Sequence, residues 1–290
     1  MIQFSSQVTG EHFRRLVHRA DPQDVFPTGV TRLSDTRFHV PAHWPRAHRF
    51  FAPVGGRHQD PLLIAETMRQ AAMLVCHAEL GVPLGDAFVM WELNYTTAAE
   101  HFLLGDEPWD IEVEVSCSDI RRRGSSIGSM RVDFVLRRNG GTLATCGSRI
   151  SCTSAAAYQR LRGHRAGAAP GPLPPALAPR AAGRACERDV VLAPAVRPGR
   201  WPLRLDTGHP TLFGRPNDHV PGILLLEAAR QAATATVPGF LPVSVRSDFL
   251  RYVELDVPCW IEATTVPAGG VLVRAVQDGG TVFTCAFGPS

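Results

Sequence analysis

Nowhere in the chain do two cysteines stand in a CxxC pair. The seven that occur, Cys76, Cys117, Cys146, Cys152, Cys186, Cys259 and Cys285, are odd in number and scattered, which argues against a disulfide framework and a structural zinc site. No stretch approaches the roughly 18 uninterrupted apolar residues of a membrane-spanning helix. The opening MIQFSSQVTGEHFRR lacks a basic segment followed by an apolar one, so no standard export signal is expected. Charge of one sign is missing too: the net charge is +3, with acids and bases mixed along the chain, and no broad field for nucleic acid results. No Gly-rich phosphate loop, HExxH or helix-turn-helix pattern occurs. The expectation is a cytoplasmic protein without metal, cofactor, nucleic acid or membrane partner.

What is present is a repeat. HQDPLLIAETMRQAA (58–72) and HVPGILLLEAARQAA (219–233) agree without a gap at seven of fifteen positions, at a constant offset of 161 residues. A repeat at that spacing indicates a duplicated domain rather than a solenoid, and 290 residues suit two. Between the copies, from about Ala155 to Cys186, Pro, Gly, Ala and Arg recur with little hydrophobic periodicity, which reads as an irregular linker with solvated arginines. The expected division is therefore 1–154, a linker at 155–186, and 187–290.

Each half reads as one helix among strands. WDIEVEVSC (109–117), MRVDFVLRR (130–138) and TLATCGSRISC (142–152) have strand patterns in the first half; VSVRSDFLRYV (243–253), PCWIEATTV (258–266), VLVRAVQ (271–277) and TVFTCAFG (281–288) in the second. Gly140–Gly141, Gly269–Gly270 and Gly279–Gly280 are expected hairpin turns. The helices are expected at Pro61 to about Leu80 and Val220 to about Thr236. A single apolar helix is best buried by a sheet that curls around it.

The segment 219–233 closely resembles the helix of the A-factor biosynthesis (AfsA) family. VHRADPQDVFPTGV (17–30) resembles that family's opening segment, 58–72 its first helix and HPTLFGRPNDHVPGILLLEAARQAA (209–233) its second, so the resemblance covers nearly the whole chain. Where many members carry an Asp-His pair, this chain reads Gly214-Arg215. The resemblance implies an α+β tandem hotdog, each half a long central helix wrapped by an antiparallel sheet, acting as a monomeric pseudo-dimer or a homo-oligomer. It also implies transfer of a β-ketoacyl group from an acyl carrier protein thioester to the hydroxyl of dihydroxyacetone phosphate, in the making of γ-butyrolactone or butenolide-type signals. A hotdog dehydratase or thioesterase, and a non-catalytic acyl-binding regulator, are the alternatives.

The helix residues carry their own argument. Positions three and four apart share a helix face, so Glu66, Arg69 and Gln70 make one polar spot and Glu227, Arg230 and Gln231 another. One reading is an ion pair that pins helix to sheet, since buried charge must be paired. The other is catalytic: acyl transfer to an alcohol needs a base, donors for the oxyanion and a cation for phosphate. A carboxylate in an apolar cleft has a raised pKa and is a better base. Only the second helix start has the Pro-Gly that lets a substrate carbonyl approach the backbone. A site there can draw its carboxylate from the other half, so Glu66, facing Arg230 and Gly222, is ranked slightly above Glu227, with His219 and His58 as further candidates. Arg230 or Arg69 is the expected phosphate clamp, Gln70 and Gln231 orient substrate, and backbone N–H groups at Gly222 and Ile223 bind the oxyanion. His48 and His209 match at the same offset, but their neighbours differ and a loop role stands equally beside a functional one. Arg121–Arg123 reads as a solvated turn, and Trp91 and Trp109 as core.

Overall fold

The computed structural model describes residues 9–124, 126–267 and 269–289. The helices are α1 (Thr9–Leu16), α2 (Leu62–Ala78), α3 (Ala155–Arg162) and α4 (Gly222–Thr236). The strands are β1 (Thr31–Arg32), β2 (Arg37–His43), β3 (Ala87–Thr97), β4 (Asp110–Arg123), β5 (Ser126–Arg138), β6 (Gly141–Thr153), β7 (Arg200–Pro202), β8 (Ser244–Phe249), β9 (Cys259–Thr265), β10 (Val271–Gln277) and β11 (Gly280–Phe287). All eleven form one antiparallel sheet in the order β1-β2-β4-β5-β6-β3-β8-β11-β10-β9-β7. This is a tandem hotdog, as expected.

The two long helices lie inside because their sequences leave no polar stripe. In α2 the buried set runs almost unbroken from Leu62 to Cys76, and in α4 from Ile223 to Ala233; a helix apolar all round belongs in a core. The strands answer with alternation. Ile111, Val113 and Val115 of β4, and Val271, Val273 and Ala275 of β10, are buried while their neighbours face out.

β3, which the strand patterns did not reveal, joins the halves. It pairs with β6 on one side and with β8 on the other, from Glu92↔Asp248 to Thr96↔Ser244. Tyr95 Oη donates to Pro242 O (2.9 Å) and Ser247 Oγ to Leu93 O (2.7 Å) across that seam.

Two expected turns shift by one residue. Positive φ falls at Asn139 and Gly140 (50° and 79°) and at Asp278 and Gly279 (50° and 73°), the backbone of a two-residue hairpin turn whose twist suits the strands. Gly141 and Gly280 already belong to strands. The supposed linker opens with α3, capped by Ser154 Oγ accepting from Ala157 N (3.3 Å). Trp109 is buried as expected, against Trp44. Trp91 is not core: it is 45% exposed, its Nε1 donating to Ser151 Oγ (2.8 Å). Arg121–Arg123 ends β4 on the surface.

Candidate active site

The two polar spots on the helices are closed clusters of the same design. Glu66 receives Arg19 (Nε–Oε1 2.9 Å), Arg69 (Nη2–Oε1 2.8 Å) and Gln70 Nε2 (2.5 Å). Glu227 receives Arg184 (Nε–Oε1 2.8 Å), Arg230 (Nε–Oε2 2.9 Å) and Gln231. Each glutamine then bridges to the segment before it: Gln70 to Asp24 O and Phe26 N, Gln231 to Asp189 O and Val191 N. His48 and His209 stand in loops, buried against Asp24 and Asp189. The partners Arg19 and Arg184 sit in a second repeat, Arg-Ala-x-x-x-Asp-Val at 19–25 and 184–190. Its offset of 165 residues differs from that of the helices, which hid it from a gapless comparison.

These contacts reverse the expected basicity. Burial pushes the Glu66 carboxyl up, but the charges of Arg19 and Arg69 outweigh it and hold it down to about 2. Glu227 is likewise held at about 2, by Arg184 and Arg230. Neither carboxylate lines the cavity of about 990 Å³ beside α4, and Arg230, Gln231 and Gln70 are buried away from it as well. Arg230 faces Glu227 and not Glu66. His58 bridges Val54 and Leu103, and the start of α2 is filled by Asp60, whose Oδ1 accepts from Leu62 N (2.9 Å), and by Arg184 stacked on Phe50 at 4.1 Å.

At the start of α4 the packing instead leaves a cavity of about 990 Å³, lined by His219, Gly222 and Arg69 among the expected residues. His219 Nδ1 donates to Asp218 Oδ1 (2.6 Å), and Tyr158 Oη of α3 donates to the same oxygen (2.7 Å). Arg162 of α3 holds Asp218 Oδ2 (2.9 Å) and both oxygens of Glu254 (2.6 and 2.8 Å), with its guanidinium 4.4 Å over the ring of Tyr252. That ring meets His219 edge-on at 4.7 Å. Burial pushes the Asp218 carboxyl up, yet bonds from His219, Tyr158 and Arg162 hold it well below the usual range. The aspartate therefore stays ionised and fixes the imidazole by its Nδ1–H, which leaves Nε2 with a lone pair in the neutral ring.

The helix start suits an oxyanion. The first intrahelical bonds run from Leu224 and Leu225 N to Pro221 O, so the N–H groups of Gly222 and Ile223 have no helical acceptor. Gly222 is glycine because the Phe249 ring lies against it: an added Cβ would sit 3.1 Å from Phe249 Cε1. Apolar side chains also line the cavity, Met68, Leu93, Ile150 and Leu225 among them, with Met73 against Arg69 and Phe88 against His18.

The other end of the cavity is cationic. Arg19, Arg69 and Arg215 line it with His18, and of the nearby carboxylates Glu66 is already shared by Arg19 and Arg69. Burial first, then repulsion from Arg69 and Arg19, lowers the pKa of Arg215; the end carries more positive charge than its surroundings neutralise. All thirty of the chain's lysine-or-arginine cations are arginine, which favours planar, two-pronged contacts to oxyanions. Tyr158 and Arg162, in the segment read as linker, were not foreseen, and neither were roles for Asp218 and Arg215, although both stand within the singled-out segment 209–233.

Against known proteins, a family profile described as the A-factor biosynthesis hotdog domain matches residues 4–154 and 167–277. A 2-oxo-3-(phosphooxy)propyl 3-oxoalkanoate synthase of Streptomyces virginiae is 50% identical, the match covering 95% of this chain and 96% of that one. One of the same name from Streptomyces coelicolor is 48% identical over 95% and 90%. Among solved structures, the 12:0-ACP thioesterase of Umbellularia californica superposes with a TM-score of 0.55 over 89% of this chain and 98% of its own, at 13% identity. A putative oleoyl thioesterase of Lactobacillus plantarum gives 0.54 over 87% and 95%, at 12% identity. At such identities the likeness is one of fold.

Proposed function

The chain belongs to the A-factor biosynthesis (AfsA) hotdog family, and from that premise we propose that it is an acyltransferase that moves a 3-oxoacyl group from a thioester to the hydroxyl of dihydroxyacetone phosphate. The product is the ester that the relatives' name describes, a 2-oxo-3-(phosphooxy)propyl 3-oxoalkanoate, a precursor of γ-butyrolactone-type signals. The observation that carries this reading is one cavity that holds an Asp218–His219 pair at a helix start, an apolar lining and a cluster of arginines.

In this reading His219 Nε2 takes the hydroxyl proton as the acceptor oxygen attacks the thioester carbonyl. The N–H groups at Gly222 and Ile223 receive the developing oxyanion. The C–S bond then breaks, and the leaving thiolate takes the proton from the imidazolium. The 3-oxoacyl chain lies along the apolar wall, and Arg69 and Arg215 grip the phosphate. The donor is an acyl carrier protein: the arginine end continues into a smaller cavity of about 330 Å³ lined by Arg14 and Arg15, a charge suited to an acidic carrier. The free state of all seven cysteines, six of them buried, supports a cytoplasmic place.

The test is mass spectrometry of the protein incubated with a 3-oxoacyl thioester and dihydroxyacetone phosphate. The ester is expected, with free dihydroxyacetone a poor acceptor, and His219→Ala is expected to lower turnover by about 10²–10⁴-fold while leaving the fold intact. Equal use of the free and phosphorylated acceptors, or release of the free 3-oxo acid instead of an ester, would overturn the reading.

A further inference from the structure

Arg215 lies in the loop before α4, and its aim is set by residues of the other half. Its Nη1 donates to His18 Nδ1 (2.8 Å), His18 Nε2 lies 3.1 Å from His77 Nε2, and His77 Nδ1 lies 2.7 Å from Val82 O. Only one set of protons satisfies all three links. A carbonyl only accepts, so His77 carries its proton on Nδ1 and presents a lone pair at Nε2; a guanidinium only donates, so His18 accepts at Nδ1 and carries its proton on Nε2. Both rings are then neutral. Burial first, then the charges of Arg215, His77 and Arg69, holds His18 down to about 3, and burial lowers His77 too, against its bond to Val82 and the charge of Asp86. Phe88 closes the pair, its ring edge-on to both imidazoles at 6.0 and 5.1 Å.

The backbone at His18 takes a conformation that its counterpart in the second half meets with glycine. His18 has φ 53°, in the left-handed region that non-glycine residues rarely occupy. The residue at the same place before the second Arg-Ala-x-x-x-Asp-Val segment is Gly183, also left-handed at φ 67°. The turn asks for glycine, and the first copy carries histidine at the cost of strain. A side chain retained against backbone preference, and hydrogen-bonded at both nitrogens, is a positioning device.

We propose that the His77–His18 pair is a positioning relay that holds the Arg215 guanidinium into the cavity as a ligand for the acceptor's phosphate. This rests on the reading of Arg215 given above. The relay makes the first half of the molecule set acceptor affinity for chemistry performed at the second, and it acts on binding of the phosphorylated substrate rather than on proton transfer.

The experiment is steady-state kinetics on the full-length protein, with inorganic phosphate as a competitive probe. His18→Gly, which gives the turn the residue its twin has, is expected to raise KM for dihydroxyacetone phosphate and the inhibition constant of phosphate by about tenfold, the scale of a lost hydrogen bond to a charged group. The kcat and the KM for the thioester are expected to stay within about twofold. His18→Asn, whose Oδ1 can accept where Nδ1 did and whose backbone tolerates a positive φ, is expected to restore most of the affinity, and His77→Leu to fall between. Arg215→Ala is the reference. If it leaves phosphate affinity unmoved, the clamp reading fails. If it weakens affinity while His18→Gly does not, or if His18→Gly lowers kcat and both KM values shift together, the relay alone is overturned.

Discussion

Glu66 and Glu227 share their neighbours, their burial and their low pKa, and the physical reason is one of pairing rather than chemistry. A carboxylate that accepts from two guanidiniums and an amide has little basicity left, and its removal strands two buried cations. Glu227→Gln is therefore expected to destabilise the protein by about 3–5 kcal/mol, read as a lowered midpoint in denaturant melts, while kcat per folded molecule stays within about twofold. A stable but inactive Glu227→Gln would return the carboxylate to the chemistry. The residues of the two clusters were legible in the sequence, because i, i+3 and i, i+4 spacing on an apolar helix is visible there. Their roles were not: whether such a spot meets a cavity or a cation depends on Arg19 and Arg184, which stand 47 and 43 residues away in the chain.

At the scale of elements, α3 shows what composition conceals. Pro and Gly downstream made the whole of 155–186 read as linker, although Ser154 followed by three alanines is a capped helix start. That helix supplies Tyr158, bonded to Asp218, and the buried Arg162, which ties Asp218 to Glu254 across the loops that meet at the His219–Glu254 bridge. Arg162→Ala leaves Asp218 without one of the bonds that hold its pKa down, so its folded-state pKa is expected to rise toward the ordinary carboxylate value. The acid limb of the rate profile, where Asp218 must be ionised to orient His219, is expected to move up in pH, with kcat at neutral pH lower by about tenfold as His219 loses its fixed orientation. An acid limb unmoved in Arg162→Ala would show that α3 only packs against the loop. The long helices α2 and α4 and most strands needed no structure to find, since their periodicities are strong; β3 escaped because both its faces are half-covered and its alternation is blurred.

On the scale of the molecule, duplication gave two frames and the packing opened one of them. The same Glu–Arg–Gln bolt closes both helices against their preceding segments, but Arg184 and Phe50 fill the start of α2, whereas the start of α4 keeps the cavity. The sequence displayed the symmetry; the asymmetry comes from side chains packed across the halves. Because β3 and β8 make the sheet continuous, the halves are expected to unfold in one transition. The bolts then dictate its acid limit. Glu66 and Glu227 have folded pKa values of about 2 against an ordinary 4.5, and Asp218 is also depressed. For depressed carboxylates the stabilisation is complete above the unfolded value and is lost as pH falls through the folded one. The denaturant midpoint is thus expected to fall most steeply between about pH 4.5 and 2, as one cooperative step seen alike by fluorescence and far-ultraviolet circular dichroism. The steepness in that window is expected to shrink in a variant that replaces Glu227, Arg184 and Arg230 together with apolar residues. Two separate transitions, or a midpoint flat across that window in the native chain, would show that the bolts do not hold the halves as one unit.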